Sequence, residues 1–240
     1  MCGRFAFHSP KEAINRVFGF DFALEYQPRY NIAPSQYILA FRHSGQQTSG
    51  IASNFSIEPV MLRWGLVPSW AKDPGIGQRM INARRETVDH KPAFRAAFRR
   101  RRCVILADGF YEWRRAEDRK IPTYITMKSG EPFAMAGLWE HWEGGSSTLL
   151  TCTIITTAAN DVLAPVHDRM PVIFSPENAA HWIDPGNDSR TGLQQLLDTP
   201  DNDALHYWEV GRDVNNPRNN GPNLIQRLPM AADGTIAGPA

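Results

Sequence analysis

Four successive segments in the middle of the chain have the composition of β-strands, and this succession constrains the fold more than any other feature of the sequence. The segments cover residues 103–113, 123–127, 133–142 and 149–157. Each is rich in aromatic and β-branched side chains, which fit a pleated sheet. Short turns join each segment directly to the next. Strands connected in this way favour a mostly antiparallel sheet.

Further elements extend this sheet and surround it with helices. The patterns predict strands over residues 2–7, 37–41, 60–64 and 205–210, and helices from residue 10 and over 92–101, 176–182 and 193–197. Strands and helices do not alternate, and the sequence has neither a P-loop nor a GxGxxG motif, which argues against a doubly wound nucleotide-binding fold. The predicted fold class is α+β, with a mostly antiparallel, barrel-like β-sheet core and flanking helices.

The first helix has a capping-box signal at its start. Ser9, Pro10 and Glu12 occupy the N-cap, N1 and N3 positions of that pattern. We therefore expect the Ser9 side chain to cap the helix.

The chain has no internal repeat and no shift in composition that marks a linker. We therefore expect residues 1–228 to form a single domain. The polar stretch over about 44–56 is expected to be a variable loop, and residues 229–240, rich in Gly, Ala and Pro, a disordered tail.

Composition and charge limit the classes of function. The 240-residue chain has a formal net charge of +1, so any contact with nucleic acid must come from a local basic patch. No apolar run approaches the roughly 20 residues of a membrane span, and the N-terminus lacks a secretory signal. The three cysteines have neither CxxC spacing nor a nearby His, which argues against disulfides and structural zinc. The sequence thus predicts a cytoplasmic protein without membrane, metal or cofactor.

Cys2 directly follows the initiator Met1, whereas Cys103 and Cys152 lie in apolar runs and are expected in the core. Removal of Met1 would give Cys2 a free α-amine beside its thiol, and such a 1,2-aminothiol condenses with an aldehyde to an imine and then a thiazolidine. With a pKa of about 7.7–8.0, an α-amine is roughly a fifth to a third neutral near pH 7.4, against about 0.1% for an unperturbed lysine. Position alone leaves open whether Cys2 is a nucleophile or has no chemical role.

Three other segments carry polar groups suited to chemistry, and each also has a purely structural interpretation. Asn82 and Arg84 follow a Gly-rich loop and are either site residues or a turn amide and a solvated cation. Asp108 and Glu112 share a face if their strand is regular. Glu112 lies between aromatic residues, where desolvation would raise its pKa toward general acid–base range, although a surface ion pair is the alternative. His167, in a loop beside an Asp and an Arg, can transfer protons near neutral pH.

Basic and aromatic residues lie close together in several places. Arg63 and Trp64, the segment that contains Trp70, and the basic run over 95–102 are examples. Grooves that bind single-stranded nucleic acid combine such charges with stacking rings. The basic run alone is more typical of a solvated helix face or of charges that complement a helix dipole.

Together these segments resemble one known family. The blocks MCGRF, RYNIAPSQ, RWGLVPSW, INARRET, ADGFYEW and HDRMPVIF follow in this order from the first residue. They are similar to those of the SRAP family (SOS response-associated peptidases) over nearly all of the chain through about residue 226. The resemblance implies a DNA-damage-response protein that binds single-stranded DNA and, after loss of Met1, joins Cys2 covalently to a ring-opened abasic deoxyribose as a thiazolidine.

The resemblance also implies roles for residues at the reacting centre. Cys2 is the nucleophile, and Asn82 orients the reacting groups. Glu112 assists proton transfer during ring opening and imine formation, with His167 beside it. Lyase-like activity and a self-processing peptidase activity that removes Met1 belong to the same expectation.

For the DNA itself, the resemblance implies phosphate contacts and a path. Arg4 and Arg84 hold phosphates that flank the lesion, and Trp70 lines the DNA path. The partner is single-stranded DNA with abasic sites, near single-to-double-strand junctions, and the protein is a monomer that joins the nucleoid when it is engaged on DNA.

Three rival functions remain at this point. A class II glutamine amidotransferase also begins Met-Cys-Gly and uses the thiol on a glutamine amide, although matching glutamine-pocket motifs are absent. The second rival is a thiol autopeptidase. The third is a DNA-binding module in which Cys2 is inert, which predicts binding without a covalent, heat-stable shift.

Overall fold

The computed structural model describes residues 2–47, 55–117, 119–198 and 204–229. The strands in these ranges are β1 (Phe5–Phe7), β2 (Arg29–Ile32), β3 (Tyr37–Gln47), β4 (Phe55–Trp64), β5 (Asn82–Arg84), β6 (Arg102–Ala107), β7 (Gly109–Ala116), β8 (Arg119–Met127), β9 (Phe133–Gly144), β10 (Ser147–Ala158), β11 (Arg169–Pro171), β12 (Ile173–Phe174) and β13 (Leu205–Glu209). The helices are α1 (Lys11–Phe18), α2 (Arg95–Arg100), α3 (Pro176–Ile183) and α4 (Arg190–Leu196). No helix in the described ranges is long and apolar enough to cross a membrane.

Five of the strands close into a barrel. The ring runs β10-β4-β3-β6-β9 and returns to β10. Every pairing in it is antiparallel except that of β10 with β4, which is parallel. β5 also pairs parallel with β10, directly beyond β4. The predicted α+β class with a mostly antiparallel, barrel-like sheet is confirmed.

β6 has both of its faces buried. Residues 103–107 are fully inaccessible, because α2 and α3 pack against a strand whose other face lies in the barrel. A strand covered on both sides can be a continuous apolar run, as this one is. The predicted core positions of Cys103 and Cys152 are confirmed, since both have no exposed surface.

A second sheet has the strand order β13-β8-β7-β1-β2. The prediction of one strand over residues 103–113 is wrong, because β6 belongs to the barrel and β7 to this second sheet, with a bend at Asp108 between them. The bend depends on Gly109, where an added Cβ would lie 2.2 Å from Cζ of Tyr124. Only glycine allows the chain to pass so close to that ring.

The capping box predicted at Ser9 is also wrong. Helix α1 has Pro10 at its N-cap position and no side-chain capping hydrogen bond. The Ser9 hydroxyl instead donates to the carboxylate of Asp108, which also accepts the backbone N–H groups of His8 at 2.5 Å and of Ser9 at 2.8 Å. A buried carboxylate that accepts several donors competes for the serine more strongly than the helix end does. This contact ties the end of β1 to the bend between the sheets.

We expect Asp108→Ala to lower the free energy of unfolding by about 3–5 kcal/mol, because it leaves buried N–H donors without an acceptor. Asp108→Asn keeps one acceptor oxygen and should cost less. Urea unfolding of both variants measures the difference. Equal stability of the alanine variant and the natural protein would show that water replaces the carboxylate at this bend.

The hairpin of β3 and β4 is longer than the sequence predicted. β3 continues to Gln47 and β4 begins at Phe55, so the ends of the stretch 44–56 belong to strands and not to a loop. The remainder of that stretch and the predicted tail lie outside the described residues, apart from residue 229. The single domain over 1–228 stays a prediction.

Arg102, the last residue of the basic run, is buried and not part of a solvated helix face. Its exposed fraction is 4%. The guanidinium donates to the backbone carbonyls of five residues in the last turns of α2 and α3 or just after α3, namely Phe98, Arg99, Trp182, Asp184 and Asn187. A cation among terminal carbonyls satisfies groups that a helix leaves unpaired and complements the helix dipoles. Arg102 therefore joins two helices to β6.

Candidate functional site

Four of the predicted site residues come together where three strands and one loop meet. Cys2 precedes β1, Asn82 begins β5, Glu112 lies in β7, and His167 ends the loop before β11. β1 and β7 are neighbours in the second sheet, whereas β5 and β11 both pair with the barrel strand β10. The site thus forms at the junction of the two sheets.

Asn82 contacts Cys2 directly. Its amide Nδ2 donates to the carbonyl oxygen of Cys2 at 2.8 Å. The parallel pairing of β5 with β10 fixes the strand, and the Trp64 indole donates to the carbonyl of Ile81 just before it. The amide oxygen Oδ1 of Asn82 is buried and has no hydrogen-bond partner among the described residues. A buried acceptor without a donor costs free energy, so this atom is suited to accept from a substrate or from the Cys2 amine.

Glu112 is a buried carboxylic acid beside Cys2. Only 5% of its surface is exposed, because β7 carries it into the junction between the sheets. Burial raises the pKa of Glu112 above its ordinary value, and the nearby charge of His167 opposes this shift without cancelling it. The carboxyl group therefore keeps its proton to higher pH than an exposed glutamate does.

His167 faces Glu112 through its Nε2 atom, which lies 4.0 Å from Oε2 of the carboxyl. The opposite ring nitrogen, Nδ1, accepts the backbone N–H of Arg169 at 2.9 Å. An oxygen of Asp168 lies 2.8 Å from the same Nδ1, so the two neighbours of this nitrogen, an N–H donor and a carboxylate, favour different tautomers of the ring.

The thiol of Cys2 is fully buried. Burial raises its pKa far above the usual value, and the charge of Glu112 adds to the increase. The group is therefore held as a neutral thiol and not as a thiolate. A neutral thiol is a weak nucleophile toward an unactivated carbonyl, so the sulfur needs an activated electrophile.

Arg84 and Trp70, two of the predicted DNA contacts, lie outside this cluster. Arg84 is exposed, two residues beyond Asn82 and on the same face of β5. Trp70 is 60% exposed and borders a separate cleft of about 520 Å³ with Lys72 and Arg79.

Arg4 has a structural attachment that the sequence did not suggest. Its Nη1 donates to Oδ1 of Asn31 at 2.7 Å and to the carbonyl of Val214 at 2.8 Å. Its guanidinium also lies over the Trp113 ring, 5.7 Å from the centroid. Arg4 thereby fastens the segment after β13 to the second sheet.

A cleft of about 550 Å³ opens from the reacting centre along the outer part of β7 and β8. It is lined by Glu112, Trp113, Arg115, Lys120, His167 and Asn215. The Trp113 indole donates to Oδ1 of Asn215 at 2.7 Å, which fixes the ring in the cleft wall. Nothing in the sequence pattern assigned a site role to this tryptophan or the two cations, although the tract WRRAEDRK shows basic residues on both sides of a turn.

In the part of the chain that the structure describes, no group of three or more His, Cys, Asp and Glu side chains is arranged to hold a metal ion. The titratable groups at the site are instead paired with one another. The arrangement provides a buried acid, a histidine that can exchange its proton, an amide and a cysteine. These groups suit proton transfer and nucleophilic addition at a carbonyl.

Comparison with known proteins identifies relatives of this chain. The chain is 46% identical to the abasic site processing protein YoqW of Bacillus subtilis, over 94% of this chain and 99% of the relative. It is 34% identical to the abasic site processing protein HMCES of Xenopus tropicalis, over 85% of this chain and 67% of that protein.

Solved structures share the fold. A crystal structure of a protein from Bacteroides thetaiotaomicron matches with a TM-score of 0.80 and 24% identity, over 94% of this chain and 99% of the other. The family model for the SOS response associated peptidases matches residues 1–217. This chain therefore belongs to the SRAP family.

Proposed function

We propose that this protein processes abasic sites in DNA, and that it does so by forming a covalent thiazolidine link between Cys2 and the ring-opened deoxyribose of a single strand. Two relatives in the family are named for abasic-site processing, which supports the general activity. The cluster of Cys2, Asn82, Glu112 and His167 supports the covalent mechanism. Loss of Met1 is a condition of this mechanism, because only a terminal cysteine has a free amine.

The observation that carries the proposal is the contact of Asn82 with Cys2. The amide holds the Cys2 carbonyl, which is bonded to the Cα that carries the amine and the CH2–SH group. Oδ1 of the same amide is buried and has no partner among the described residues, so it can accept from a proton donor of the reacting groups. Holding reactants in position in this way is itself a large contribution to rate.

The reaction conserves atoms and requires no redox partner. An abasic site is mostly a closed hemiacetal, and opening it needs a proton on the ring oxygen and removal of one from the hydroxyl. The Cys2 amine then adds to the aldehyde carbon, and loss of one water gives the imine. The sulfur adds to the same carbon, its proton passes to nitrogen, and the five-membered thiazolidine closes.

The order of these steps follows from the protonation states at the site. The buried thiol of Cys2 is neutral, so it is not the first nucleophile. The α-amine is partly neutral near pH 7.4 and attacks first. Glu112, protonated over a wider pH range because of burial, donates to the leaving oxygen, and His167 exchanges the proton with it. The protonated imine is the activated electrophile that a neutral thiol requires.

Two accompanying activities use the same groups. Hydrolysis of the Met1–Cys2 bond would expose the amine, and Glu112 and His167 are the groups at hand to move the protons. An imine that is not captured by sulfur can lose the 3′ phosphate by elimination, which is a lyase-like reaction. Cys2 thus determines whether the strand is linked or cut.

The DNA path completes the proposal. Arg84 is exposed beside Asn82 and suits a phosphate that flanks the lesion, and Trp70 offers an exposed ring for stacking. The hydrogen bonds of Arg4 to the described residues use Nη1, and we assign a phosphate contact to Nη2. We propose single-stranded DNA near a junction with duplex as the partner, a monomeric protein, and a cytoplasmic location on the nucleoid.

Denaturing electrophoresis tests the central claim. The protein is incubated with a single strand that carries either an abasic site or an ordinary base, and the mixture is then denatured with heat. A slower band is expected with the abasic strand alone. With protein that has lost Met1 and with saturating DNA, a band with both strands, or with neither, would refute covalent capture through an aldehyde.

We expect Arg84→Ala to weaken binding of single-stranded DNA equally for all sequences, because a phosphate contact carries no base information. The slope of log K against log salt should decrease by about 0.7 for this one lost contact. Fluorescence anisotropy at several salt concentrations measures it. A loss limited to particular flanking bases would assign base reading to Arg84.

For Arg4→Ala we expect the same change in slope together with lower thermal stability, because Oδ1 of Asn31 loses its donor and the Val214 carbonyl loses the shorter of its two hydrogen bonds. Anisotropy and thermal unfolding of this variant are compared with those of Arg84→Ala. A drop in stability with an unchanged slope would limit Arg4 to its structural attachment.

A further inference from the structure

The hairpin of β7 and β8 carries cations that face each other. Arg115 and Lys120 are directly opposite in the antiparallel register, and Arg119 is opposite Ala116 one step further toward the turn. Side chains that are directly opposite lie on the same face with their Cβ atoms about 4.5–5.5 Å apart. Two like charges at this separation repel and destabilise the hairpin.

The repulsion is not relieved by acidic neighbours among the described residues. Neither Arg115 nor Lys120 has a carboxylate of that part of the chain within 4.0 Å, and Glu117, near the turn, is exposed and makes no ion pair there. Arg114, on the other face of the same strand, is paired with Glu209. One face of the hairpin is therefore neutralised within the protein, and the other is left basic.

The cleft that Glu112 and His167 line reaches this basic face, although Glu112 itself lies on the face of Arg114. Arg115 and Lys120 line the same cleft as Glu112 and His167, with Trp113 between them. Arg115 lies three positions along the strand from Glu112, which corresponds to about 10 Å. Trp113 is held by Asn215 through its indole N–H, so its ring has a fixed position in the cleft wall. A strand of DNA attached at Cys2 would pass these groups within its first nucleotides.

We propose that Arg115 and Lys120 bind backbone phosphates of single-stranded DNA beside the lesion, and that Trp113 stacks on an unpaired base there. This inference rests on the proposed function and extends it, because it assigns a second DNA-binding surface on the His167 side of the site. Phosphate oxygens between the two cations would replace their repulsion by attraction. The ring favours a single strand over a duplex, since only an unpaired base exposes its face.

Two properties of one variant separate this role from a structural one. Lys120→Glu places an acid opposite Arg115, so we expect the midpoint of thermal unfolding to rise. The same variant should bind unmodified single-stranded DNA more weakly, and its salt slope should decrease by at least the value of about 0.7 for one phosphate contact. A residue that merely supports the fold would lose stability and binding together.

Matched variants complete the experiment. Arg115→Ala combined with Lys120→Ala should lower the slope by about 1.4 in total. Arg99→Ala removes an exposed cation on α2, away from the cleft, and should leave the slope unchanged. Trp113→Leu should weaken binding of the single strand at high salt as well, because stacking is not screened. Binding is measured by anisotropy with unmodified DNA.

The proposal is overturned if the double variant binds with the slope and affinity of the natural protein, or if Arg99→Ala lowers the slope as much. These outcomes differ from failure of the proposed function, which is measured as adduct formation by the natural protein on saturating abasic DNA. If the natural protein forms the adduct but the hairpin variants keep an unchanged salt slope, only the proposed hairpin surface is refuted. If the natural protein forms no adduct, the covalent mechanism is refuted, whatever the salt slopes of the hairpin variants.

Discussion

Blocking the amine of Cys2 is expected to abolish the heat-stable adduct with abasic DNA, even though the thiol stays in place. A thiol alone adds to an aldehyde reversibly, and the resulting hemithioacetal does not survive denaturation. Closing the thiazolidine requires nitrogen and sulfur from one residue, and an amide nitrogen is too weak a nucleophile to form the imine. Retention of Met1 or an N-terminal extension therefore removes the reaction completely.

Intact-mass measurement first establishes whether each preparation has lost Met1, and the processed and extended proteins are then compared by denaturing electrophoresis. Cys2→Ser with a free terminus is the matched control. It keeps the amine, so an imine still forms, but the hydroxyl captures it poorly and the yield of stable adduct should be intermediate. Equal trapping by a blocked protein would contradict the thiazolidine and point to an internal lysine or another cysteine.

Glu112→Gln is expected to slow adduct formation by about 100- to 10,000-fold, the usual contribution of a positioned acid or base. The amide has the same shape but has no proton to donate to the leaving oxygen. Binding of unmodified single-stranded DNA should be unchanged, because the carboxyl contacts no phosphate in the proposed path. Single-turnover trapping and anisotropy measure the two quantities separately. An unchanged rate would return Glu112 to a structural role.

Thermal stability provides an internal control for this variant. Burial raises the pKa of Glu112 in the folded state above that in the unfolded chain, so the folded protein binds more protons between the two pKa values. Stability contributed by this group is therefore present at low pH and falls as pH rises through that window. The stability of Glu112→Gln should not fall in this pH window, and at neutral pH the variant should be at least as stable as the natural protein. A less stable variant would indicate that the carboxyl supports the fold.

The local sequence pattern predicted most of the strands, because the polarity of a strand's side chains reflects whether its faces are buried. The continuous apolar run of β6 indicates a strand buried on both faces, and the same run placed Cys103 correctly in the core. Local pattern failed at the end of that run. The bend at Asp108 depends on the contact of its carboxylate with Ser9, which is 99 residues away in the chain. A local stretch of sequence around either residue does not include the other, so it cannot predict this contact.

The sequence by itself determined the family and the fold class, and it supplied the residues that we propose to react, because the motif blocks are contiguous and each can be recognised without its neighbours in space. Tertiary structure decided what those residues can do. Burial at the junction of two sheets raises the pKa values of Cys2 and Glu112, and strand pairing brings Asn82 to the Cys2 carbonyl. The tertiary structure also directs Arg4 toward Asn31 and places Arg115 opposite Lys120. Desolvation and cross-strand proximity are properties of atoms that are far apart in the chain, so they arise only when the sheets have formed.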